Sequence, residues 1–320
     1  MANCIRCGRE ISGFSFGKKV CPWCKQHEAA QRGEVVEDER QPVMRAPWAR
    51  SGASGIGLTQ VIFGINAAVF LGMVLSSGAV MDFPGRELVR WGANVGVLTF
   101  SGEWWRLLTN VFVHGGLLHI AFNMWCLWNL GALCESLYGR GTYAAIYLVC
   151  GLGASLASAA WHPSTPSVGA SGAIFGLAGA LIAAFKLGEF SVPRSALSGT
   201  LRSLGAFVVY NLLFGFAIPG IDNMAHIGGL VTGLIVGALI AVLAPRQEHG
   251  PRRAAIFLVV ILALAGGAMA VGRHYGLPFH VGRSPFDPRA LTHPLQPIFA
   301  FAPQGGMRSQ LLSSPTARQA

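Results

Sequence analysis

The chain runs to 320 residues, 52% of them hydrophobic and 12% charged, where an ordinary soluble domain carries about 25% charge. That balance belongs to a membrane protein and sets aside a soluble domain. The formal net charge of +10 suggests nucleic acid only if the long apolar runs are ignored, and it is better read through the cytoplasmic bias of Lys and Arg in membrane proteins.

The first segment, residues 1–27, holds Cys4 and Cys7 in CIRC and Cys21 and Cys24 in CPWC. Each Cys-x-x-Cys pair sets two thiolates at a tight turn, and four thiolates close a tetrahedron around Zn. So short a segment cannot bury enough apolar surface to fold alone, so a structural metal would supply its stability. Disulfides and a redox dithiol compete with zinc. The first suits an oxidising compartment, and the second needs one pair only. Arg6, Arg9, Lys18, Lys19 and Lys25 are diluted by nearby acids, so no nucleic-acid partner is expected, and a cytoplasmic protein partner or a stabilising cap fits better. Residues 28–55, charged and then Gly/Ser-rich, read as a linker.

Seven apolar runs follow, beginning near Leu58, Leu117, Tyr143, Ala170, Leu204, Met224 and Ala254, each about 16 to 22 residues and so roughly able to span a hydrocarbon core. The first is too late and too long for a cleaved signal peptide. With the N-terminus cytoplasmic, Arg40, Arg45, Arg50, Arg140, Lys186, Arg194, Arg202, Arg246, Arg252 and Arg253 all fall inside, while the connections WHPSTPSVG and AIPGID carry no Lys or Arg. In the first external loop, Trp104 and Trp105 with Arg106 suit an interfacial anchor. His114 and His162 are assigned to water or headgroups, and Cys126, Cys134 and Cys150 to packing as small hydrophobes. Residues 273–320 are rich in Pro and Arg and read as a largely disordered tail. The lack of an organelle-targeting leader suggests a bacterial plasma membrane.

Polar residues inside spans are costly and count as functional candidates. The second run carries His119 and Asn123 one helical turn apart on one face, where they can serve chemistry or simply bond a neighbouring helix. The fourth run begins GASGAIFGLAGALIAAF, and Gly172, Gly176 and Ala180 make a smooth face beside Ser171. In the sixth, His226 shares a face with Gly229, Gly233 and Gly237. Docking these two faces brings Ser171 to His226, which matters because a hydroxyl is a poor nucleophile until a positioned base takes its proton. His119 and Asn123 at similar depth, with the Ser171 backbone N–H, can donate to a developing oxyanion. Asp222, one turn before His226, suits a helix cap better than a third catalytic member. A channel or transporter would need polar positions through the bilayer centre, and the spans offer few.

The ordered set of WWR at 104–106, His119-x-x-x-Asn123, Glu135 with Gly139 and Arg140, GASG at 169–172 and AHIGG at 225–229 resembles the rhomboid family of intramembrane serine proteases. The resemblance implies an all-α polytopic membrane fold: a six-helix core over residues 56–245, one added C-terminal helix over 253–272, and the zinc ribbon in front. It implies Ser171 as nucleophile, His226 as general base and then acid, and His119, Asn123 and the Ser171 amide as the oxyanion site, with Gly169 the glycine of the family's GxSG motif. No cofactor is implied for catalysis, and the implied partners are transmembrane protein substrates within the lipid bilayer. Glu135 and Arg140 are expected to stabilise the inner end. A rhomboid-like protein that binds transmembrane clients without cleaving them is the alternative, against which the presence of both Ser171 and His226 counts.

Overall fold

A computed structural model describes residues 2–8, 10–11, 20–21, 24, 27–28, 31–32, 56–188, 194–245 and 249–276. Nearly all of the expected linker and tail lie outside these residues, as do Arg9, Lys18, Lys19 and Lys25. Ahead of the apolar runs, strand β1 (Ala2–Asn3) pairs antiparallel with β2 (Glu10–Ile11). Each of the seven runs is a helix: α1 (Leu58–Ser77), α5 (Leu117–Tyr138), α6 (Arg140–Trp161), α7 (Ser171–Leu187), α8 (Arg194–Ala217), α9 (Asn223–Leu243) and α10 (Gly250–His274). Short helices α2 (Gly85–Arg90), α3 (Gly96–Phe100) and α4 (Arg106–Thr109) and a 3-10 turn at Asn110–Phe112 fill the connection from α1 to α5. Among the described residues six helices are long and apolar enough to cross a membrane. The other, α7, has 17 residues, about 25 Å at 1.5 Å per residue.

Helix α7 is apolar on all sides, the pattern of a helix surrounded by protein, and it touches α5, α6, α8 and α9. Its tightest neighbour is α9, through the two small-residue faces in register. A Cβ on Gly229 would overlap the carbonyl oxygen of Gly172, one on Gly233 that of Gly176, and one on Gly237 would stand 2.6 Å from that of Ala180. In lipid such backbone-to-backbone packing is a principal source of helix association. Gly176 itself faces α6 more than α9, for its Cβ would lie 2.6 Å from Cys150 Sγ. Cys126, Cys134 and Cys150 are buried and unpaired.

At the end of the bundle away from Ser171, Glu135 accepts from the backbone N–H of Leu58 at 2.7 Å, that of Thr59 at 2.9 Å and the Thr59 hydroxyl at 2.8 Å. It thereby caps the first turn of α1, whose N–H groups have no intrahelical acceptor. Arg140 Nε stands 3.5 Å from the same carboxylate, so the pair braces this end as expected. Arg253, at the start of α10, is buried. It donates to the carbonyls of Ala244 at 3.0 Å, Pro245 at 3.1 Å and Tyr138 at 3.4 Å and to Thr142 Oγ1 at 3.2 Å. One cation thus closes the C-terminal ends of α5 and α9.

Two expectations about the α1–α5 connection are corrected. Arg106 is no interfacial anchor, since it is buried and pairs with Glu103 at 2.5 Å while donating to the carbonyls of Val89 at 2.7 Å and Ala93 at 3.0 Å. Of the WWR triplet, Trp104 and Trp105 are exposed. His114 does not face water or headgroups, because its side chain is fully buried, donating from Nδ1 to the Phe112 carbonyl at 3.3 Å with its ring 5.2 Å from that of His119. Burial, with His119 beside it, pushes the imidazole down to about 3, so it stays neutral at physiological pH.

Candidate active site and cysteine cluster

Ser171 is the first residue of α7 and His226 lies one turn into α9, and the register of the glycine faces sets them against each other. His226 Nε2 stands 3.0 Å from Ser171 Oγ, within the reach a base needs to take a hydroxyl proton. The imidazole is stacked on Phe175 with ring centroids 4.3 Å apart and planes 8° from parallel. Phe175 is one turn beyond Ser171, so the same face of α7 carries the hydroxyl and the plate that orients its partner. The sequence reading passed over Phe175. The signal was its i+4 spacing from the serine.

Asp222 does not touch the dyad's imidazole. Its Oδ1 accepts the Ala225 N–H at 2.9 Å, capping α9, and its Oδ2 accepts from Ser158 Oγ at 2.5 Å. His226 Nδ1 has no hydrogen-bond partner among the described residues. Among the described residues no carboxylate bonds the far nitrogen of this imidazole, and the stacked ring of Phe175 is what lies against it.

His119 and Asn123 face the same space. The Gly115 N–H donates to His119 Nδ1 at 3.2 Å, so in the neutral ring the proton resides on Nε2. That Nε2 points toward Gly169, where a Cβ would lie 2.7 Å from it. Gly169 also has φ +117°, a conformation that excludes side chains. Its N–H is engaged, donating to the Asn110 carbonyl at 2.9 Å, so Gly169 offers room and a bend and no donor of its own. Asn123 spends one amide hydrogen on the His119 carbonyl at 2.9 Å, and the second has no acceptor among the described residues. At the start of α7 the Ser171 N–H has no intrahelical acceptor and sits at the positive end of the helix dipole. His119, Asn123 and Ser171 thus bring three donor groups to one cavity. All of these groups line one cavity of about 950 Å³, which α8 closes with Phe207 and Phe214 among others.

The four cysteines of the first segment are also brought together. Their sulfurs all lie within 4.8 Å of one another, with Cys4 to Cys24 at 3.9 Å and Cys7 to Cys21 at 3.5 Å. All four are unpaired, and these separations are far beyond a disulfide's roughly 2.05 Å. They approach the edge of about 3.8 Å that a tetrahedron with metal–sulfur bonds of about 2.3 Å requires. The Cys21 N–H donates to Cys4 Sγ at 3.2 Å and holds that thiol down at about 6, while loss of solvent followed by the neighbouring thiols pushes Cys24 up to about 12. A sulfur quartet of this shape can hold a metal ion.

Comparison with known proteins bears on the helical part. The family model of the rhomboid domain matches residues 101–243. The chain is 40% identical over 220 residues to rhomboid protease GluP of Bacillus subtilis, a match covering 68% of this chain and 40% of that one. To rhomboid protease AarA of Providencia stuartii it is 30% identical over 250 residues, covering 71% of this chain and 86% of the other. RHOMBOID-like protein 4 of Arabidopsis thaliana is 36% identical over 159 residues, covering 50% of this chain and 39% of the relative. Identity over this span, the domain match and the helical arrangement agree: the chain belongs to the rhomboid family.

Proposed function

We propose that this protein is an intramembrane serine endopeptidase that cleaves transmembrane segments of other membrane proteins near their external ends. The observation that carries the proposal is the 3.0 Å approach of His226 Nε2 to Ser171 Oγ inside a cavity among apolar helices, and the likeness to two rhomboid proteases supports it. A substrate helix enters from the side and unwinds to present a peptide carbonyl. Ser171 Oγ bonds to the carbonyl carbon as its proton passes to His226 Nε2. Charge developing on the carbonyl oxygen is met by His119 Nε2–H, the free Asn123 amide hydrogen and the Ser171 N–H, donors that need no rearrangement. Collapse of the tetrahedral adduct breaks the C–N bond, and the amine leaves with the proton from His226. Water, its proton taken by the same imidazole, then attacks the acyl ester, and the returning proton restores Ser171.

The cysteine quartet is proposed as a structural zinc site of a cytoplasmic appendage that recruits partners or substrates, outside the reaction. Four thiolates give the metal stability without an open position for substrate. The proposal sets the N-terminus in the cytoplasm, following the arginine distribution, and the core in a bacterial plasma membrane. A reporter fused after Arg273 is therefore expected outside.

Cleavage of single-span substrates in liposomes by wild type, Ser171→Ala and His226→Ala tests the proposal. Wild type is expected to cleave and both variants to lose at least about 10³-fold in kcat. Equal cleavage by all three overturns the dyad. No cleavage by wild type across a varied panel favours a rhomboid-like protein that only binds transmembrane clients.

A further inference from the structure

Beside the cavity runs a set of buried polar groups that no step above uses. Asn94, between α2 and α3, is 1% exposed. Its Oδ1 accepts from Thr99 Oγ1 of α3 at 2.7 Å, and its Nδ2 donates to the Ser155 carbonyl of α6 at 2.8 Å. Its backbone pairs both ways with Ser167, the Asn94 N–H donating to Ser167 O at 2.9 Å and the Ser167 N–H to Asn94 O at 2.8 Å. Ser155 Oγ donates to Asn110 Oδ1 at 2.9 Å, and the Asn110 carbonyl accepts the Gly169 N–H at 2.9 Å. The irregular segment that delivers Ser171 therefore hangs from two asparagines, at Ser167 and at Gly169, and Ser155 joins the two.

Such an arrangement has a mechanical meaning. The segment before α7 is non-helical and includes Gly169 at positive φ, so little in its own backbone fixes where it places the first turn of α7. Buried hydrogen-bond networks in which each member is satisfied are stiff, because breaking any link strands a polar group away from water. We propose that Asn94 is a positioning residue for the reaction. Locked in orientation by Thr99 and braced on α6, it holds the Ser167–Gly169 strand at the height that sets Ser171 Oγ against His226 and beneath His119. It touches no substrate and moves no proton. Its effect falls on the chemical step, since an ångström of misplacement can cost about 10²-fold.

The inference rests on Ser171 being the nucleophile, and the test separates the two. Full-length protein in detergent is titrated to completion with a fluorophosphonate probe that labels activated serines, and kcat and KM for a single-span substrate are expressed per labelled site. Misfolded molecules then drop out of the count. Asn94→Ala and Thr99→Val are expected to lower kcat at least about tenfold with KM within about twofold, while Thr99→Ser, which keeps the hydroxyl, restores kcat. Should Asn94→Ala fail to fold, Thr99→Val carries the measurement, because valine keeps the shape and removes only the bond to Asn94. Wild-type labelling that Ser171→Ala abolishes, together with unchanged kcat in Asn94→Ala and Thr99→Val, overturns the positioning role alone. A wild type that neither labels nor cleaves overturns the hydrolase reading and this one with it.

Discussion

Asp222 and His226 sit one turn apart, and the structure assigns them separate work. The carboxylate is consumed by the Ala225 N–H and the Ser158 hydroxyl, and the imidazole leans on Phe175. Where a carboxylate orients the catalytic imidazole, its conversion to the amide costs about 10⁴ in kcat; here Asp222→Asn is expected to keep kcat within about threefold. The cap itself is read by Asp222→Ala, which removes the acceptor of the Ala225 N–H and should cost α9 about 1 kcal/mol in thermal unfolding. His119 is tested from the other side. With its Nδ1 tied to the Gly115 N–H, only Nε2 can donate, so His119→Phe is expected to lower kcat by about 10² to 10³, the usual loss for one oxyanion donor. Gly169→Ala should match it, since the new methyl would press on that Nε2 and force a strained φ.

At the scale of helices, the docking of α7 on α9 is what brings the Ser171 hydroxyl and the His226 imidazole within 3.0 Å of each other. Gly229 and Gly233 set that distance, because a methyl on either meets a main-chain carbonyl that cannot rotate aside. Gly233→Ala is expected to cost roughly 1–3 kcal/mol of stability by overpacking and to lower activity by parting Ser171 from His226. A bulky residue at Gly176 probes a different contact, with Cys150 of α6. Gly176→Ala should therefore be partly rescued by Cys150→Gly, and a double-mutant cycle on unfolding midpoints should give a favourable coupling. Much of this was legible beforehand. Gly172, Gly176 and Ala180, and Gly229, Gly233 and Gly237, repeat with the period of a helix face, so the pairing of α7 with α9, and hence of Ser171 with His226, could be read from spacing. The α1–α5 connection could not. Arg106 and Glu103 look like surface charges because the carbonyls of Val89 and Ala93 that hold Arg106 leave no mark in the sequence. His114 lies in a connection between helices, beside Gly115 and Gly116, where an imidazole reads as solvated, and its burial depends on chain brought from far away. Asn94 and Asn110 were missed for the same reason, since main-chain bonds to Ser167 and Gly169 carry no residue pattern.

Taken whole, the molecule has a chemical end and a braced end, with a sulfur quartet ahead of both in the chain. Removing metal from the quartet with a chelator, or Cys4→Ser, is expected to abolish bound zinc measured by elemental analysis while leaving cleavage of a transmembrane substrate within about twofold, since a closed four-thiolate site has no vacancy for substrate. At the braced end, Arg253→Ala strands three carbonyls and the Thr142 hydroxyl and is expected to cost at least about 2 kcal/mol. Lysine should not restore it, because one ammonium cannot span the fork of acceptors that a guanidinium reaches. Arg253 also imposes an order on biosynthesis. Its acceptor at Tyr138 O leaves the ribosome 115 residues before it does, so α5 and α9 must wait in the bilayer, their last carbonyls unclosed, until the seventh helix is made. A nascent chain halted after Leu243 would then carry Ser171 and His226 on helices already packed glycine to glycine, with the opposite end of the bundle still unclosed.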